Sequence, residues 1–192
     1  MKRNPTTRQS ADHSMVYILS RLLKRAQELG VNKLGGKTQN EFWQQLMLLP
    51  TDYSRTSIAD PDTRKLMDLI DFKHGGSDYD TKYPEGIPTS IIIIDKDNKT
   101  YDSGLIMFPA GHAANKEHNL IEILNTKFQR LAALAVGENE TKNLIQKLQN
   151  LKNKSNHEID LLYEANIHYI PISNTGNNNK QSNEEDENVT EY

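Results

Sequence analysis

A chain of 192 residues has the length of one domain, or of one domain with an appended segment, and with 35% hydrophobic against 26% charged residues its apolar content must be concentrated in part of the chain. The net charge of −3 provides no broad basic surface, which argues against phosphate-backbone binding and against nucleic acid as a partner. The absence of cysteine excludes disulfides, thiolate metal sites and cysteine-ligated clusters, so any chemistry falls to His, Lys, Arg, Tyr or carboxylates.

The start, Met1-Lys2-Arg3, is basic but runs into Thr6, Thr7 and Arg8 rather than an apolar segment, so no secretory signal is expected. From Ser10 to Gly30 the apolar positions Met15, Ile18, Leu19, Leu22, Leu23, Ala26 and Leu29 recur at helical spacing, with Ser10 or Asp12 as N-cap and Gly30 as stop. Thr38 and Glu41 fit a capping box for a second helix that Pro50 ends near Leu49. Asp60 and Pro61 open a third, expected to bury Leu66, Leu69 and Ile70.

Ile87 to Asp95 is then β-branched, Asp95 to Lys99 is turn material, and Thr100 to Phe108 is again apolar, which reads as a β-hairpin. Its run Ile91–Ile94 is far short of the ~20 residues that cross a bilayer, so no membrane is expected as a partner, and the run wants cover on both faces. Helical spacing returns in Leu120, Ile121, Leu124, Phe128 and Leu131 and again in Leu144, Ile145, Leu148 and Leu151. Ser155 and Glu158 cap a last short helix expected to bury Ile159, Leu162 and Tyr163. From Ser173 to Tyr192 the chain is Asn-rich and acidic, the composition of a disordered tail.

Three segments fit no general chemical motif: Arg8 to Ser14, His74 to Ser90, and Ser103 to Asn115. Within them Ser10-Ala11-Asp12-His13-Ser14, Tyr79-Asp80-Thr81-Lys82-Tyr83-Pro84-Glu85-Gly86-Ile87-Pro88-Thr89-Ser90 and Ser103-Gly104-Leu105-Ile106-Met107-Phe108-Pro109-Ala110-Gly111-His112 resemble, in order, segments of the MmgE/PrpD family. That family holds 2-methylcitrate dehydratases and cis-aconitate decarboxylases. The resemblance spans roughly residues 4–170. It implies an α+β fold class, in which 1–112 correspond to the later part of a small α+β domain carrying the hairpin and 113–170 to C-terminal helices of an all-helical domain. Residues 171–192 are left as the acidic tail. It further implies a hydro-lyase of propionate catabolism that needs no metal or organic cofactor. It places this chain in the C-terminal portion and leaves the family's principal acid–base residues before it, so the chain is expected to be inactive alone and catalytic residues are not assigned.

Dehydrating a hydroxylated polycarboxylate needs donors for the carboxylates, a base for the carbon acid and an acid for the departing hydroxyl. His13 is one candidate, at an expected helix start where amide dipoles favour an anion; the alternative is a cap in which Asp12 bonds free amides while His13 packs. Tyr79, Lys82 and Tyr83 precede a glycine and two prolines, a composition suited to a fixed loop that displays polar tips; the alternative is a packing loop held by its rings. His112 follows Gly111 where the second strand ends, or else caps a helix beginning near Asn115. Ala114 stands where the family carries a basic residue, which puts an anion contact in doubt. His112 and His118 are six apart with no third ligand near them, so no metal site is expected.

The leading expectation is therefore a 2-methylcitrate dehydratase-like chain whose partner is a small polycarboxylate, with mitochondrial localisation following from the resemblance. The competing ones are a cis-aconitate decarboxylase-like lyase, and a non-catalytic remnant that forms a homodimer or docks on a full-length relative.

Overall fold

A computed structural model describes residues 3–34, 38–164 and 167; the acidic segment 171–192 lies outside them. Two polar caps, not one, open the N-terminal helices. In α1, Arg8–Asp12, the Thr7 hydroxyl accepts the Ser10 amide at 3.1 Å and the Ser10 hydroxyl accepts the Thr7 amide at 3.0 Å. The chain then breaks at His13, and Ser14 caps α2, Met15–Leu29, by accepting the Tyr17 amide. The single helix expected from Ser10 is thus corrected to two, and neither Ser10 nor Asp12 caps α2. In a straight helix Ala11 and Val16 would stand about 140° apart; the break lets both enter one core.

Gly30, at φ 74°, ends α2 as expected, and the short α3 (Val31–Leu34) follows. The Thr38–Glu41 capping box opens α4, Gln39–Leu46, which stops three residues earlier than expected. Pro50 begins a 3-10 turn, Pro50–Tyr53, and α5 (Arg55–Ala59) starts from Ser54. Asp60 caps α6, Pro61–Asp68, accepting the Thr63 amide at 2.8 Å. Contrary to expectation Leu69 is 81% exposed, and Met67 and Thr63 are the buried positions of this helix. They lie four apart and form one stripe, and Leu69 is about 200° round from Met67.

These elements close one small core of Ala11, Val16, Tyr17, Ile58 and Met67, with Tyr53, Ile70 and Phe72 against it. Polar groups pin it from outside. Arg64 donates to the carbonyls of Ile58 and Pro5 at 2.8 and 2.6 Å, and the Tyr17 hydroxyl donates to the Asp52 carbonyl at 2.5 Å. Asp52 takes Arg21 at 2.8 Å and Arg25 at 3.2 Å, and Lys24 meets Asp60 at 2.6 Å.

Beyond Phe72 the packing thins. The loop expected over 78–83 is instead mostly a helix, α7, Gly76–Lys82, in which Gly76 at φ 67° turns the chain in and the polar residues Ser77 to Thr81 tolerate a short exposed turn. The hairpin forms as β1, Ile92–Ile94, against β2, Thr100–Asp102, with Ile93 opposite Tyr101. Thr89 and Ile106 extend it through an isolated pair. Its turn closes as the Asp95 side chain accepts the amides of Asp97 and Lys99, with Asn98 at φ 59°.

The last apolar stripes fall on two limbs of α8, Leu120–Leu148, which bends at Gly137 (φ 79°, ψ 166°). Its first limb meets α4, where Asn40 and Gln44 donate to Glu122. α9, Asn156–Asp160, has the expected Ser155–Glu158 box. Tyr163, expected to be buried, is 87% exposed: it ends a 3-10 turn, Leu161–Tyr163, in which Leu161 and Leu162 are the half-buried positions. Ile159 and Leu162 are only half-buried. The protein is therefore a mixture of helices and one small antiparallel sheet, an α+β composition.

Candidate functional site

Asp12 is the last residue of α1 and His13 its C-cap, so the pair sits at a helix end rather than a helix start. Nδ1 of His13 lies 3.0 Å from the Gln9 carbonyl and 2.5 Å from the Asp12 carboxylate. Both partners are acceptors, so Nδ1 holds the proton and Nε2 is the basic nitrogen of the neutral ring. Asp12 orients the imidazole, and the capping role considered for it belongs to Ser14.

The second candidate group is a ladder of rings on α7. Tyr79 stacks on Tyr83 at 5.7 Å, and His74 meets Tyr79 edge-on at 5.5 Å. His74 Nδ1 accepts the Gly76 amide at 3.1 Å, and its Nε2 lies 3.4 Å from Asp80. Tyr79 and Lys82 are half-buried and Tyr83 is exposed. His74 and Asp80 were not singled out from the sequence; the only signal was a histidine before two glycines that open a helix.

His112 stacks on Phe108 at 4.8 Å, and its Nδ1 accepts the Ala114 amide at 3.0 Å. Its neutral form therefore carries the proton on Nε2, opposite to His13. It caps a local turn and no helix: α8 begins at Leu120 with Asn119 as N-cap, because Asn115 is spent on the amides of Glu117 and His118 and on the Phe108 carbonyl.

The fold brings the second and third segments together. Thr89 and Ile106 exchange both backbone bonds, at 3.0 and 2.9 Å, and Gly86 is held so close to Met107 that a Cβ there would lie 2.6 Å from Cε and 3.0 Å from the carbonyl oxygen. His13 belongs to the separate α1–α2 link. A groove of about 360 Å³ is lined by Thr38, Asn40, Glu117 and Glu122, acidic and so of the wrong sign for a polycarboxylate. A second, of about 240 Å³, is lined by Arg3, Asn4, Val16, Met67 and Asp68. Neither includes a candidate residue. Among the described residues no group of three or more His, Asp or Glu is placed to hold a metal ion.

The displaced pKa values belong largely to the scaffold. Burial, aided by Asp52 and Tyr53 and opposed by Arg21, pushes the Tyr17 hydroxyl up to about 12, and burial raises Tyr53. Burial also pushes the Asp60 carboxyl up, but Lys24 and the Thr63 hydroxyl and amide outweigh it and hold the group at about 2. No family model, curated protein or solved structure matches the chain.

Proposed function

We infer that the chain is the C-terminal portion of a 2-methylcitrate dehydratase-like hydro-lyase, comprising the later part of a small α+β domain and returning helices. The observation that carries the reading is that two of the three resembling segments pack on each other as the two arms of the hairpin, through Thr89–Ile106 and Gly86–Met107. His13 and His112 are read as contacts to substrate carboxylates, with the acid and base of the reaction in the portion before this chain. Lys82, Tyr79 and Tyr83 supply cationic and hydroxyl contacts to the remaining carboxylates. The reaction breaks a C–H and a C–OH bond, forms the double bond and releases water.

A second reading, a non-catalytic chain that docks on a relative, is favoured by the exposure of His13, Tyr83 and His112 and by the lack of any candidate in the two grooves described above. Formation of unsaturated product from 2-methylcitrate, citrate and cis-aconitate separates the two readings. It is measured with the purified chain alone and with the chain mixed with an N-terminal fragment of a family member. Activity only in the mixture, lost in His13→Gln, is expected; no activity in either leaves the docking reading, and carbon dioxide release from cis-aconitate assigns the decarboxylase variant.

A further inference from the structure

The hairpin is bare on both faces and unequal at its edges. Ile92 and Ile94 are 58% and 65% exposed on one face, and Ile91 and Ile93 are 42% and 45% exposed on the other. Ser103 donates to the Ile91 carbonyl and Asp95 to the Lys99 carbonyl, both at 3.0 Å, with Ile93 opposite Tyr101. The odd-numbered residues of β1 thus turn their backbones to β2, and by the alternation of an antiparallel ladder the N–H and C=O groups of Ile92 and Ile94 point to the open side. The β2 edge carries Asp102, and Lys99 leans over Tyr101, charges of the kind that blunt an edge. From Ile87 to Ile94 β1 carries no charge at all.

We propose that β1 is the pairing edge for a second copy of this chain, joined antiparallel about a two-fold axis at Ile93. In that register Ile92 exchanges both backbone bonds with Ile94 of the other copy, Ile93 stands opposite its own copy, and Asp95 falls opposite Ile91, so no like charges meet. The result is a four-stranded sheet, which meets the need of a two-stranded one for further strands. Ile87, Ile91 to Ile94, Tyr101, Leu105 and Ile106 are all at least 42% exposed. Antiparallel pairing at β1 covers the flanks of Ile92 to Ile94 and aligns these residues of two copies into one apolar surface. The proposal differs from the lyase reading, under which the missing part of the small domain would supply the strand at this edge.

The test uses the full 192-residue chain, whose lack of cysteine makes single-cysteine cross-linking clean. Directly opposed, non-hydrogen-bonded residues have Cα atoms about 4.5 Å apart, inside the range a disulfide spans. Ile93→Cys is therefore expected to give a disulfide-linked dimer on mild oxidation. Ile91→Cys shares the face and the exposure but sits about 13 Å from its copy in this register, and is expected to stay unlinked. Ile94→Pro removes an outward N–H without touching the bonds to β2. It should weaken self-association in sedimentation at least tenfold while the Tyr101 and Ser103 amides, which face β1, stay protected.

Linkage of both cysteine variants, or a dimer unchanged by Ile94→Pro, overturns the register. A monomer at all concentrations overturns the proposal. So does a monomer whose Ile92 and Ile94 amides gain protection only when an N-terminal family fragment is added, which would give the edge to that partner.

Discussion

Arg21 on α2 reaches Asp52, thirty-one residues on, at 2.8 Å, with the two side chains only 12% and 8% exposed. Asp52 also takes Arg25 and the Leu49 amide, so one carboxylate joins α2 to the turn that leads into α5. Asp52→Ala strands a buried guanidinium and is expected to cost about 3–5 kcal/mol, with the Arg21→Met, Asp52→Ala pair recovering most of it. Urea unfolding measures both; a single-variant loss under about 1 kcal/mol would show that water screens the pair.

The Gln45 side-chain oxygen is buried with no hydrogen-bond partner among the described residues, although its backbone carbonyl accepts Arg25. Removing such a group relieves a desolvation cost of about 1–3 kcal/mol. Gln45→Met should be neutral or raise the urea midpoint, and a clear loss of stability would mean the oxygen has a partner.

Asp60 is held at about 2 by Lys24 and Thr63, below its unfolded value of 3.8. The stability it adds is therefore present above about pH 4 and lost as pH falls towards 2. Tyr17 runs the other way: raised to about 12, it adds stability that is present below pH 10 and lost as pH climbs towards 12. Urea midpoints across pH should fall at both ends. Asp60→Asn should flatten the acid limb and Tyr17→Phe the alkaline one; unchanged limbs would refute the assignment.

Gly86→Ala would set a methyl 2.6 Å from Met107 Cε and 3.0 Å from its carbonyl oxygen. Overpacking of this kind costs about 1–3 kcal/mol. Met107→Ala frees the side-chain clash but not the carbonyl contact, so partial rescue is expected. Full rescue would show that the backbones of the two segments do not approach as described.

Gly137 has space for a side chain but sits at φ 79°, ψ 166°, a conformation essentially confined to glycine and costing other residues about 1–3 kcal/mol. Gly137→Ala should therefore either destabilise by that amount or straighten α8, raising the helical signal in circular dichroism. No change in either would remove the bend.

What the sequence made legible was local. The Thr38–Glu41 and Ser155–Glu158 boxes, Asp60 with Pro61, Gly30 and the Asp95–Lys99 turn are decided within four residues of chain, and each formed. The start of α2 was misplaced because Ser10 serves Thr7 in its own short helix, and helical spacing alone does not reveal a break made to bury Ala11 and Val16 together. Leu69 was misplaced because a hydrophobic pattern gives a stripe's existence, while the partner helix decides which stripe is used. The ion pairs of Asp52 could not be read at all, since its two arginines lie 27 and 31 residues away. At the candidate site the residue types of Tyr79, Lys82, Tyr83 and His112 were visible. The ring ladder through His74 and the hydrogen-bond partners of His13 and His112 needed coordinates.

The core residues Ala11 through Phe72 form one continuous stretch, with Arg3 reaching back to Asp71 at 2.8 Å. Synthesis proceeds from the N-terminus and domains fold as they emerge, so this core has all its components before Ile91–Ile94 leave the ribosome. The sticky strand thus emerges beside a finished body, and its own β2, six residues on, closes one of its edges and leaves the other open.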